Sequence, residues 1–210
     1  MSNLLPPEAV ILYAGHFGRE VLKQLDIKDC TALELNDRLY PAEIPYASLI
    51  ISIWSGHYGE ARDRIDMVGF QRCIPTLGIE LLPTSIICGP VVQPGYTACY
   101  DCYKRRMQQH QQNTVTMLDN SSDLPEGFGL AEVFVAIGML GKALTTLNLA
   151  TSVNDMSKNS AETLGADVYT FDLVHGSTSR LSTVAVDRCP RCSQRFAPRR
   201  HPTAALQGLL

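Results

Sequence analysis

The stretch AVILYAGHFGREVLKQL, residues 9–25, decides the fold. Ala9 to Ala14 form a short apolar run rich in strand-forming residues, and GHFG follows at once as a tight turn. In the next segment Val21, Leu22 and Leu25 return at helical spacing. The reading is strand, turn, helix. Moving outward, Thr31 to Leu35 is a plausible second strand, and SLIISIW (residues 48–54) is a stronger one whose continuous apolar character suits burial on both faces of a parallel sheet. GHYGEARDRIDMVG (residues 56–69) then reads as turn and helix, and Ile74, Leu77 and Ile79 followed by SIIC (residues 85–88) give two short strands parted by Pro83.

Strands alternating with helices of moderate length imply an α/β class with a mostly parallel, Rossmann-like sheet and right-handed crossovers. Beyond it, CYKRRMQQHQQ (residues 102–112) starts as helix and dissolves into a polar stretch over residues 113–126, part of which is expected to be mobile. Leu130, Val133, Phe134, Ile137, Leu140, Leu144 and Leu147 recur at intervals of three and four and predict a long helix, with Gly138 and Gly141 admitting close packing and self-association. VYTFDLVHGSTSRLSTVAV (residues 168–186) predicts an antiparallel hairpin. The 210 residues suit one domain: a Rossmann-like half over 1–98, a first cysteine knuckle, helix and crossover over 99–126, and the long helix, hairpin and second knuckle over 127–210.

A formal charge of −3 and 45 % hydrophobic content describe an ordinary soluble chain with no basic bias toward nucleic acid. The opening MSNLLPPEAV lacks the pattern of a secretory signal, which places the protein in the cytoplasm, where its seven cysteines stay reduced. No membrane span is expected from the most apolar stretch, residues 133–150, because Lys142 sits near its centre.

Four cysteines are grouped: Cys99 with Cys102, and Cys189 with Cys192, the two CxxC pairs standing either side of residues 103–188. Each pair supplies two sulfurs from one tight turn, so two pairs complete a tetrahedral thiolate shell with no open position. The quartet is therefore read as a structural zinc site that fastens the C-terminal knuckle to the sheet. A redox pair and an iron–sulfur cluster are the alternatives; neither CxxC is expected to open a helix after a thioredoxin-like strand, both being placed in turns, and nothing else points to electron transfer. Cys30, Cys73 and Cys88 read as single small core residues.

Gly15 and Gly18 stand where the second and third glycines of a dinucleotide-binding turn would fall, Tyr13 replacing the first. Asp37 lies near the end of the second candidate strand, roughly where a carboxylate meets a ribose. Gly15, Gly18 and Asp37 thus form a weak candidate nucleotide site beside the plainer reading of a strand-to-helix turn. His57 follows the strongest strand, without a visible catalytic partner. Arg188, Arg191, Arg195, Arg199 and Arg200 read as a solvated basic tail, or as a contact for an acidic peptide.

The order of parts, with CGPVVQPGYTACYDCYKRR (residues 88–106) and VDRCPRCSQRF (residues 186–196), resembles the ThiF superfamily, the ubiquitin-activating-enzyme-like fold. Within it the likeness is to the cyclodehydratase partner proteins of azole-modified peptide biosynthesis, on Gly89, Pro90, Pro94, Gly95, Cys99 and Cys102 of a GP-x-x-x-P-G-x-x-x-C-x-x-C segment. The resemblance implies a subunit that itself closes no rings. It supports or presents a ribosomal precursor peptide to a YcaO-type enzyme, which uses ATP to form thiazole and oxazole(ine) rings, with a flavin-dependent dehydrogenase as a further partner. It makes the four cysteines zinc ligands, and Gly15 and Gly18 the remnant of a nucleotide turn. The incomplete glycine loop departs from adenylating relatives, leaving ATP doubtful on this subunit; an ATP-dependent adenylyltransferase acting on a peptide or carrier-protein carboxylate is the alternative. The chain also enters the sheet by Ala9, with no preceding winged-helix module for the leader peptide.

Overall fold

The strands are β1 (Ala9–Tyr13), β2 (Thr31–Glu34), β3 (Leu49–Ser55), β4 (Thr76–Leu82), β5 (Ser85–Cys88), β6 (Gly165–Asp172) and β7 (Ser177–Val184). The helices are α1 (Gly15–Gln24), α2 (Gly59–Arg72), α3 (Tyr100–His110) and α4 (Leu130–Ser152). In the computed structural model, which describes residues 4–35, 40–56, 58–110, 127–152 and 165–192, these strands join one sheet in the order β2-β1-β3-β4-β5-β6-β7.

Side chains alternate across a strand, and the apolar runs of β1 and β3 use both faces. Ile11, Ile51 and Ile53 meet Phe17 and Val21 of α1 and Val133, Leu140 and Leu144 of α4 on one side. Val10, Leu12, Ile50 and Trp54 meet Ile65 and Val68 of α2 on the other. Burial of each such side chain contributes about 1.5–3 kcal/mol, so these two layers fix the centre of the sheet.

Two expectations are refined. The turn is shorter than GHFG: Gly15, with φ +72°, makes it, and α1 runs on from there, so Gly18 already lies in the first helical turn. A Cβ on Gly18 would stand 2.7 Å from the Ile53 carbonyl oxygen, which makes this glycine a condition of packing α1 on β3. The half over residues 1–98 is mostly parallel as expected, and the sheet as a whole is mixed because it runs on past that half. β2, β1, β3 and β4 pair in parallel, but β5, β6 and β7 continue the same sheet antiparallel. Only Pro83 and Thr84 link β4 to β5, too short a connection for a parallel crossover, so the chain must reverse there.

α4 packs against α1, β5 and β6. Its residues Leu130–Leu147 are long and apolar enough to cross a membrane by length and composition, with mean hydropathy 1.6 and 39 % of the stretch buried inside the molecule. Leu130 and Phe134 are exposed on its outer side. The polar stretch 113–126, Asp37, His57 and the arginines beyond Cys192 lie outside the described residues.

Candidate metal centre

The segment between β5 and α3 aims the first cysteine pair. Gly89 donates its N–H to the Gly78 carbonyl at 2.7 Å, Val91 to the Asp167 carbonyl at 2.8 Å, and Val92 exchanges two bonds with Thr76 at 2.9 Å, so GPVV is laid across β4 and the start of β6. Gly89 has φ +128°, and a Cβ there would fall 2.6 Å from the Asp167 carbonyl oxygen, so the chain passes only as glycine. Thr97 then closes a turn by accepting the Gln93 N–H at 2.8 Å, and Cys99 arrives directly before α3.

The first CxxC, expected in a turn, lies at a helix start instead: Cys99 precedes α3 and Cys102 lies in its first turn, with residues 89–98 and no strand directly before it. A helix N-terminus favours negative charge, which suits thiolates at these positions. The second pair returns from β7 through a turn in which Cys189 donates its N–H to the Val186 carbonyl at 3.3 Å, while the Val186 N–H points at Cys102 Sγ, also at 3.3 Å.

The four sulfurs of Cys99, Cys102, Cys189 and Cys192 lie within 4.8 Å of one another and are buried. Cys99 stands 3.7 Å from Cys102 and 3.5 Å from Cys189, and Cys102 stands 3.5 Å from Cys192. A disulfide would need about 2.05 Å, so none is formed. Thiolates about 2.3 Å from one tetrahedral ion stand about 3.8 Å apart, close to the spacing found, and the quartet can hold a metal ion. Hydrogen bonding to the Cys192 thiol, followed by burial, pushes the Cys99 thiol far above its ordinary range. Burial pushes Cys102 up to about 11 despite the Val186 N–H. A cation binding here displaces a proton from each sulfur it takes as a thiolate.

Arg191, read above as part of a solvated tail, is drawn into the fold. Its Nη1 donates to Asp66 Oδ2 at 2.6 Å, with Asp66 completely buried on α2. Asp63, one turn earlier, accepts an ion pair from Lys104 on α3 and lies 3.9 Å from Arg191. Beside them, Arg62 is fully buried; it donates to Ser52 Oγ at 2.9 Å and to the Pro90 carbonyl at 3.2 Å, and lies over the Tyr100 ring. Residue-type reasoning missed Asp66 and Arg62. The signal was present: they share with Ile65 and Gly69 the buried stripe of α2, so charges occupy positions that helical spacing assigns to the core.

Glu80 on β4 faces the same cluster. Burial pushes its carboxyl up to about 7, opposed by the Arg62 charge and by the Trp54 indole N–H. Its folded pKa lies above its ordinary value of 4.5, so the folded state holds a proton that the unfolded chain has released. Stability is then present below pH 4.5 and falls as pH rises toward 7, by about 3 kcal/mol in all. Unfolding by urea at pH 5 and pH 8 should show this fall, and Glu80→Gln should abolish it.

Gly15 and Gly18 stand together at the start of α1, between β1 and β3, while Asp37 lies outside the described residues. The fold and the site together define a class: a mixed α/β sheet whose end is closed by a cluster of four cysteines. No family model and no curated protein matches the sequence. Among solved structures, the heterocyclase TruD is similar at 15 % identity with a TM-score of 0.55, over 96 % of this chain and 32 % of that one. The E. coli microcin synthetase McbBCD complex is similar at 13 % identity and TM-score 0.57, over 90 % of this chain and 69 % of that one. E. coli MccB is similar at 15 % identity and TM-score 0.51, over 92 % and 60 %. What is shared at these identities is the fold, and this chain spans about a third of the TruD chain.

Proposed function

We propose that this chain is a ThiF-like subunit of a cytoplasmic heterocycle-forming synthetase, without ring-closing activity of its own. It supports or presents a ribosomal precursor peptide to a YcaO-type, ATP-dependent cyclodehydratase that makes thiazole and oxazole(ine) rings. The observation that carries the reading is the shared fold: TruD is a heterocyclase, McbBCD is a microcin synthetase, and each is matched over nine-tenths or more of this chain. The ion is zinc, since four thiolates close enough to share one ion suit it, and its part is structural because four sulfurs leave no position for a substrate.

A groove of about 870 Å³ beside the clip supports peptide binding. Tyr103 and Met107 of α3 form one wall, and Ile87, Val168, Leu181 and Thr183 of the sheet form the floor and the other wall. Leu181 is 64 % exposed although it belongs to a strand, which leaves an apolar anchor point for a partner. Leu181→Asp should weaken precursor capture about tenfold or more while leaving metal content unchanged, as read by fluorescence anisotropy of a labelled precursor.

The deciding experiment mixes this chain, a candidate YcaO enzyme and its precursor, and follows loss of water by mass spectrometry. Ring formation should need this chain or be strongly raised by it. Peptide-dependent exchange of pyrophosphate into ATP by the chain alone would overturn the reading in favour of an adenylyltransferase, and absence of ATP binding in calorimetry removes that alternative.

A further inference from the structure

We propose that Asp66 is a positioning residue of the cysteine site: by seating Arg191 it holds the second knuckle in place, so that Cys189 and Cys192 face Cys99 and Cys102 before an ion arrives. Arg191 lies between the two cysteines of its pair, so anchoring its guanidinium anchors the backbone of both. The anchor is strong in kind. Asp66 has no exposure, its oxygen lies 2.6 Å from Arg191 Nη1, and the Arg191 side chain is only 24 % exposed. A charge-assisted bond of this length, shielded from water, is among the stronger polar contacts a protein makes.

The same turn of α2 reaches the first knuckle as well. Asp63 pairs with Lys104, two residues past Cys102 on α3, and lies within 3.9 Å of Arg191. One helical turn bearing two carboxylates thus takes a cation from each cysteine pair, and α2 becomes the jig on which the two halves of the clip are aligned. The contribution is geometric. Asp66 helps the site through what it holds in place, the guanidinium of Arg191 at 2.6 Å.

The inference rests on the quartet binding a metal and not on the peptide-modifying role. The test uses the full chain loaded with cobalt(II), whose thiolate charge-transfer and ligand-field bands report four-sulfur coordination, titrated against a competing chelator. Asp66→Asn and Arg191→Gln should each keep the four-thiolate spectrum while weakening cobalt binding about 10- to 100-fold. The double variant should be no weaker than the weaker single one, and Arg191→Lys should recover most of the affinity. Affinities within twofold of the parent, or fully additive losses, would overturn the proposal. If Asp66→Asn does not fold, the contrast between Arg191→Gln and Arg191→Lys decides, equal losses counting against it. A parent chain that takes up no cobalt removes the metal site itself, an outcome separate from these.

Discussion

Cys189→Ser is expected to release the second knuckle and to lower the stability of the chain by on the order of 5 kcal/mol, a large part of what a structural zinc supplies in small peptides. In a chain of this size that corresponds to a fall of about 10–20 °C in thermal midpoint. The reason is structural. Cys189 and Cys192 are the last part of the described fold, and the small cluster they form with Ala98, Cys99, Cys102 and Ala166 holds few apolar residues of its own. With three sulfurs left, an ion would be poorly held, the turn behind β7 would have little to pack against, and Arg191 should become accessible to trypsin. Cys73→Ser, at the C-terminal end of α2 where the thiol is exposed and not in the core as expected, should change the midpoint by no more than a degree or two. Calorimetry on both variants, with trypsin digestion followed by mass spectrometry, separates loss of the clip from a general effect of losing a thiol.

Arg62→Met should be nearly as damaging, at about 3–5 kcal/mol, because it removes one partner of a buried charged cluster and leaves the others in place. Ser52 loses its donor, the Pro90 carbonyl is left without its side-chain partner, and Glu80 loses the cation that moderates its burial. Pro90 belongs to the segment that aims Cys99, so the damage reaches the metal site as well. Glu80 should then titrate above 7, and the fall in stability with rising pH should extend further into the alkaline range. Glu80→Gln added to Arg62→Met should recover part of the loss, since the two side chains are coupled and their separate effects cannot simply add. Urea unfolding of the single and double variants measures this directly.

The strongest parts of the fold were legible because they are local. β1 and β3 carry apolar residues at consecutive positions, which in a short run bounded by turn residues points to a doubly covered strand, and both faces are indeed covered. The β6–β7 hairpin was visible from its alternation around Gly176. Its place in the molecule was not, because pairing β5 to β6 joins residues 85–88 to residues 169–172, and no local pattern records that choice. The cysteine quartet was read from spacing and chemistry alone, and the fold does gather it. What spacing could not supply is the support beneath the sulfurs. Asp66 and Arg62 look like ordinary charged residues of a surface helix until their positions are set against Ile65 and Gly69, and Arg191 looks like one arginine among many in a basic tail. The start of α3 was placed at Cys102 when it lies at Tyr100, a small shift that decides whether the first knuckle sits in a loop or on a helix end.

The most direct measurement is elemental analysis of the full chain, purified without chelator, paired with a count of reactive thiols. One zinc per chain is expected, with Cys99, Cys102, Cys189 and Cys192 shielded from a thiol reagent until a chelator strips the ion. Protein that carries no metal while all four thiols react freely would contradict it.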